Sequence, residues 1–141
     1  MALTAGLTPI PTGTASIGSV TPYPAGATPI TAASGNVANA AAVATLAAAA
    51  GKTTYITGFT CTGSGATAGL PVSVTVVGTI SGTLTYTVAA AAGALVENTP
   101  LDVQYSIPIP GSATNTAIVV TMPALGAGNT NATVVAHGYQ L

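Results

Sequence analysis

The chain has 141 residues and is almost uncharged: charged residues make up 2% of it, namely Lys52, Glu97 and Asp102, and the net charge is −1. This length predicts one domain with enough chain to bury a core. Phosphate binding requires several Lys or Arg side chains, so the single Lys excludes nucleic acid as a partner. So few acids and bases do not make an active site, and we therefore expect no enzymatic activity, no metal and no cofactor.

The protein must owe its solubility to the polar side chains of Thr, Ser and Asn rather than to charged ones. A β-rich surface without charge exposes sheet edges and apolar patches that promote association. The composition therefore predicts a subunit whose surface is largely covered in its working state; the alternative is a monomer kept soluble by its hydroxyl groups. No run reaches the ~20 strongly apolar residues of a membrane span, and the N-terminus lacks the basic and apolar regions of a signal peptide. We expect no membrane partner.

Residues 1–35 show no period of 2 or 3.6 but carry a loose repeat of Thr-Pro units. Proline fixes φ and restricts the preceding residue to extended conformations, so this segment is predicted to be an extended arm ahead of a domain at 36–141. Its ordering requires contact with its own body, a sister subunit or a larger particle. The side chains proposed to contact a partner are Pro9, Ile10, Pro11, Pro22, Tyr23, Pro24, Pro29 and Ile30.

The next two stretches lead into the predicted core. Residues 36–51 are compatible with an Ala-rich helix or with a short strand, and the alternation of Val43 and Thr45 with alanines favours the strand. Residues 52–62 are rich in β-branched and aromatic side chains and read as a strand between two glycines. On a regular strand Tyr55 and Phe59 share one face with Cys61, and that face is predicted to centre the core.

The remaining chain alternates apolar and polar residues in short runs separated by Gly, Pro and Asn. One face of each run holds, in turn, Val72, Val74 and Val76; Leu84, Tyr86 and Val88; Leu101, Val103, Tyr105, Ile107 and Ile109; Ile118, Val120 and Met122; and Thr133, Val135, His137, Tyr139 and Leu141. This pattern predicts an all-β fold, an antiparallel β-sandwich of jelly-roll or immunoglobulin-like type with an extended N-terminal arm. Pro108 and Pro110 place their strand at a sheet edge or at a point where it leaves the sheet. The predicted core comprises Tyr55, Phe59, Val74, Tyr86, Val103, Tyr105, Ile118 and Val120.

The residues that usually carry chemistry are isolated from one another in the sequence. His137 is the only histidine and is expected to be a packed or surface residue, while Glu97 and Asp102 are expected to be solvated or capping charges. Cys61 falls on the apolar face and is expected to be a buried, inert thiol. The row Thr83, Thr85 and Thr87 is interpreted as an ordinary solvent face, with a flat ice-binding hydroxyl array as the alternative.

Three stretches carry a resemblance to a known kind of protein: residues 51–59, residues 115–120, and residues 126–131 together with 136–141. Across about residues 36–141 the chain resembles small structural proteins of tailed bacteriophages, most closely head decoration or cement proteins. The resemblance implies a β-sandwich subunit on the capsid surface of the virion, which clamps neighbouring major capsid proteins and associates with sister subunits as a trimer or dimer. The resemblance assigns no functional role to any individual residue of this chain.

Two expectations follow for function. Binding only to the assembled shell would stabilise that shell by mass action, and deleting residues 1–35 is expected to abolish particle binding while leaving the sandwich folded. The alternative function is a tail-fibre or adhesion module that binds a glycan or a host receptor.

Overall fold

In the computed structural model, residues 23–126 and 128–141 are described. This part of the chain forms eight β-strands and no helix: β1 Thr28–Ala33, β2 Ala42–Leu46, β3 Thr54–Ser64, β4 Leu70–Thr79, β5 Gly82–Ala90, β6 Leu101–Pro110, β7 Ile118–Met122 and β8 Asn131–Gln140. Among these residues there is accordingly no helix with the length and apolarity to cross a membrane.

The strands form two antiparallel four-stranded sheets, which confirms the predicted β-sandwich. Sheet A has the order β1-β8-β3-β6 and sheet B the order β2-β7-β4-β5. The pairs β1/β8, β2/β7, β3/β6 and β4/β5 are nested, as in a long hairpin that has been folded over. Eight strands in two sheets with this nested pairing form a jelly roll, so the connectivity decides between the two sandwich types that the sequence left open.

The core lies between the sheets and is built from one face of each strand. Phe59 of β3, Val74 of β4, and Ile118 and Val120 of β7 are fully buried there. Tyr86 and Tyr105, with Val103, are half-buried and pack against this core from the edge strands β5 and β6. Since burying an aliphatic or aromatic side chain contributes about 1.5–3 kcal/mol, these interior faces supply most of the stability.

The stretch with ambiguous propensity, residues 36–51, contains the strand β2 and no helix. Ala42, Ala44 and Leu46 are buried, whereas Val43 and Thr45 face outward. Alanine has a high helix propensity, but β2 pairs with β7 along its whole length, and this pairing overrides the local preference.

The predicted boundary between arm and domain at residue 35 differs from the structure. Residues Thr28–Ala33 form β1, an edge strand of sheet A that pairs with β8. Ile30 and Ala32 pack against the core, and the Ser34 hydroxyl accepts a hydrogen bond from the Val134 amide at 2.9 Å. The sandwich therefore begins before residue 35, and deletion of residues 1–35 would remove one of its strands.

The prediction that Tyr55 belongs to the core is wrong, because β3 contains a β-bulge. The pairing of β3 with β8 shifts register between Ile56 and Gly58, so that Thr57 is an extra residue. The bulge reverses the alternation, and Ile56 and Phe59 both face inward while Tyr55 lies on the outer face. Gly58 permits this, since a Cβ there would meet the Val103 carbonyl oxygen at 2.6 Å.

The strand with the two prolines, β6, is an edge strand of sheet A, as predicted. Its pairing with β3 jumps from Gln104 to Ile109 across the same irregularity. Residues 105–108 therefore leave the regular ladder, and Ile107, expected on the inner face, is 82% exposed.

Candidate interaction surfaces

The charged and titratable side chains are spread over the molecule and do not form a reactive group. Lys52 lies before the start of β3, and its Nζ donates to the Thr28 hydroxyl at 2.9 Å. Glu97 pairs with the far end of β3 through a bridge to Ser64. The described residues contain no cluster of three or more His, Cys, Asp or Glu side chains that could hold a metal ion.

Asp102 and His137 also lie apart from the other charged and titratable side chains. Asp102 is exposed on β6, where its Oδ1 accepts hydrogen bonds from Thr60 Oγ1 at 3.0 Å and Gln104 Nε2 at 2.9 Å. His137 is exposed on the outer face of β8. A nucleophile and a base would have to lie within hydrogen-bonding distance of each other, and these side chains do not.

Cys61 is a buried free thiol in the core of the sandwich. Desolvation by burial raises the pKa of this thiol to about 12. The thiolate is the reactive form of cysteine, so the native protein holds this side chain in an unreactive state at neutral pH.

A row of ring side chains crosses the outer face of sheet A. The registers align Pro29 of β1 with Tyr139 of β8, Tyr139 with Tyr55 of β3, and Tyr55 with Pro110 of β6. The rings of Tyr55 and Tyr139 are stacked, with centroids 4.8 Å apart and planes at 11°. Tyr139 is 5% exposed although it lies outside the core, and burial, followed by the neighbouring Tyr55, raises its pKa. We call this the tyrosine row.

The tyrosine row also holds the base of the N-terminal arm. Tyr23 packs edge-to-face on Tyr139, with ring centroids 5.6 Å apart. Of the residues proposed to contact a partner, Pro24 and Pro29 are exposed, and Ile30 packs against the protein's own core. The remaining ones, Pro9, Ile10, Pro11 and Pro22, lie outside the described residues.

The outer face of sheet B carries small side chains and no charge. We call this the threonine face, and it consists of Val43, Thr45, Ser73, Thr75, Val77, Thr83, Thr85, Thr87, Val119 and Thr121. The registers place Thr85, Thr75, Thr121 and Val43 in one row across all four strands. Sheet faces exposed to water usually carry charged side chains, whereas this face presents hydroxyl and aliphatic groups.

Two half-buried tyrosines link the sheets on the side of the sandwich where β5 and β6 are the edge strands. Tyr86 of β5 and Tyr105 of β6 span the two sheets, and their hydroxyl groups are hydrogen-bonded at 2.9 Å. Phe59 packs edge-to-face on Tyr86, with centroids 5.4 Å apart. Burial, followed by the hydrogen bond with Tyr86, raises the pKa of Tyr105. This pair closes the seam between the two edge strands.

Comparison with known proteins returned no matching family model, curated protein or solved structure. By its strand order the described chain is an all-β jelly-roll protein.

Sequence reasoning missed the tyrosine row, since regular alternation placed Tyr55 in the core. The signal available was Gly58, because an isolated glycine inside a strand pattern indicates a bulge or a close backbone approach.

Proposed function

We propose that the chain is a structural virion protein of a tailed bacteriophage, which binds the assembled capsid and stabilises it by clamping neighbouring major capsid protein subunits. The observation that carries this proposal is the threonine face, which has ten outward positions on four strands and no charged side chain among them. Such a face can be buried against another protein without desolvating a charge, which costs several kcal/mol per ion.

Two further arguments support the proposal. Jelly rolls are common in viral capsid domains, an argument that rests on fold alone. Residues 36–141 also resemble small structural proteins of tailed bacteriophages.

The proposed mechanism requires no chemistry. A protein that binds only the assembled shell stabilises it by RT ln(1 + [L]/Kd), where L is the free protein. Contact with sister subunits, as a trimer or dimer, would link several weak contacts and raise the overall avidity.

The edge strands also support association with other subunits. Edge strands are usually protected by charged side chains, and here only β6 carries one, Asp102.

The test is a charge placed on the threonine face, combined with a matched charge elsewhere. Thr85→Lys changes an exposed residue of β5, and Ser106→Lys changes an exposed residue of β6 on the other sheet. Binding is measured by cosedimentation of the purified protein with phage heads that lack it. We expect Thr85→Lys to weaken binding roughly a hundredfold or more and Ser106→Lys to leave it unchanged.

The contradictory outcome is equal binding by both variants. In that case the threonine face is not the contact surface. Thermal unfolding of each variant is the control for folding. Both positions are exposed, and surface substitutions usually alter the free energy of unfolding by less than about 0.5 kcal/mol. Both variants should therefore fold as the unmodified protein does.

A further inference from the structure

A cavity of about 400 Å³ opens at one end of sheet A. Its floor is formed by the outward side chains of two paired strands: Thr62 and Ser64 at the end of β3 lie opposite Thr133 and Asn131 at the start of β8. Its wall is the connection between β5 and β6, which contributes Glu97 together with Leu95. No other cavity-lining residue is charged.

The wall is fixed by backbone hydrogen bonds. The Gly65 amide donates to the Val96 carbonyl at 3.1 Å, and the Asn98 amide donates to the Gly63 carbonyl at 2.9 Å. Asn98 is buried, and its Oδ1 accepts from the Ala91 amide at 2.8 Å. The cavity therefore exists before a ligand arrives, which reduces the entropy cost of binding.

The polar groups of the floor are oriented by a chain of hydrogen bonds. Asn36 Nδ2 donates to Asn131 Oδ1 at 2.8 Å, and Asn131 Nδ2 donates to Ser64 Oγ at 3.0 Å. The Ser64 hydroxyl oxygen accepts the hydrogen bond from Asn131, so the hydroxyl hydrogen of Ser64 is left to donate to a ligand. The Glu97 carboxylate only accepts, and it forms no hydrogen bond or ion pair with the residues at 23–126 and 128–141.

The cavity also has an apolar rim. Leu95 is 98% exposed, the most exposed of the large hydrophobic side chains in the described chain. A saccharide presents hydroxyl groups that both donate and accept, together with an apolar face of C–H groups. The carboxylate, the amide, the hydroxyls and the leucine complement both kinds of surface.

Other ligand classes fit the cavity less well. A phosphate or another anion would meet Glu97 and no cation, since Lys52 lies before the opposite end of β3. A calcium ion takes 6–8 oxygen ligands, usually with several carboxylates, and this cavity holds one carboxylate.

We propose that this cavity is a binding site for a neutral saccharide, in which Glu97 accepts hydrogen bonds from sugar hydroxyls and Leu95 contacts the C–H face of the ring. The site is separate from the threonine face, and it goes beyond the proposed capsid function. Without an aromatic platform the affinity for one sugar ring is low, with Kd on the order of millimolar.

The test follows the amide resonances of the isotope-labelled full chain while glucose, galactose, mannose or N-acetylglucosamine is added. We expect at least one of these sugars to shift the amides of Ser64, Glu97 and Asn131. Glu97→Gln should weaken its binding by about 5–10-fold, because a hydrogen bond to a charged acceptor is stronger than one to a neutral acceptor.

Two further variants keep the test specific. Asp102→Asn removes the other carboxylate of the chain, which lies outside the cavity, and should bind the sugar as the unmodified protein does. Leu95→Ala changes an exposed side chain and should weaken binding without affecting folding.

Three outcomes would overturn the proposal: no sugar shifts these amides, Glu97→Gln binds as tightly as Asp102→Asn, or calcium alone produces the shifts. Because no capsid is present in this experiment, its failure leaves the capsid proposal untouched.

Discussion

The tyrosine row buries the aromatic side chain of Tyr139 on the outside of the sandwich, so truncating this side chain should lower the free energy of unfolding. Truncating Tyr139 to Ala removes the stacked contact with Tyr55 and the edge contact with Tyr23. A buried aromatic side chain covers about 150–250 Å², which corresponds to an upper bound of roughly 4–6 kcal/mol at ~25 cal/mol per Å². Core Phe→Ala substitutions typically cost about 3–5 kcal/mol.

We expect Tyr139→Ala to lower the free energy of unfolding by about 3–4 kcal/mol, measured by urea denaturation. Tyr139→Phe is the matched control, because it keeps both ring contacts, and the Tyr139 hydroxyl forms no hydrogen bond with the described residues. That control should lie within about 0.5 kcal/mol of the unmodified protein.

A second readout tests whether the row anchors the arm. The Ala27 amide donates to the Pro24 carbonyl at 3.1 Å in the turn that follows Tyr23. Hydrogen exchange at Ala27 should accelerate in Tyr139→Ala and stay unchanged in Tyr139→Phe. A loss below about 1 kcal/mol, or unchanged exchange at Ala27, would refute the view that Tyr139 holds the arm to sheet A.

The remaining predictions concern the arm, the seam and the core. Deleting residues 1–22, which removes none of the eight strands, should weaken particle binding, whereas deleting residues 1–35 should also lower the melting temperature because β1 is lost; equal melting temperatures for the two variants would contradict this. A double-mutant cycle of Tyr86→Phe and Tyr105→Phe should give a coupling of about 0.5–1.5 kcal/mol, and additive effects would exclude a contribution from their hydrogen bond. Burial raises the pKa of the Cys61 thiol from 9.0 to about 12, so near pH 9 the thiol ionises only in the unfolded chain. Stability should therefore fall as the pH rises from 9 towards 12, by about 1.4 kcal/mol at pH 10. Cys61→Ala should lack this part of the pH dependence in urea titrations, and an identical dependence would contradict the assignment.

The sequence was informative wherever strands are regular. The Val residues of β4 and the alternating Leu, Tyr and Val of β5 lie on the predicted faces. Where the alternation is interrupted, the prediction fails, because one extra residue transfers every following side chain to the other face. The bulge at Thr57 lies between Tyr55 and Phe59, so these two side chains, expected on one face, lie on opposite faces.

Strand β8 keeps Thr133, Val135, His137 and Tyr139 on one face, as predicted, and that face is the outer one. In β8 the inward face holds the small residues Ala132, Val134 and Ala136, while the larger Tyr139 faces outward. Small side chains suffice there because Phe59 and other large residues fill the interior from neighbouring strands. Size and polarity along a single strand do not reveal which neighbours fill the space.

The candidate surfaces were predictable only in part. The lack of charge was evident from composition, and it predicted a surface that other molecules cover. The threonine face itself depends on the strand order, which brings Thr121 of β7 beside Thr75 and Thr85 of the β4–β5 hairpin. The cavity beside Glu97 depends likewise on the pairing of β3 with β8.

The most direct measurement of the central claim is the position of the protein on phage particles, determined by cryo-electron microscopy of virions that carry a tagged copy. A structural role in the head predicts the tag at regular positions over the whole capsid surface, above the contacts between major capsid protein subunits. Tags confined to the tail or to one vertex, or particles without the protein, would contradict the claim.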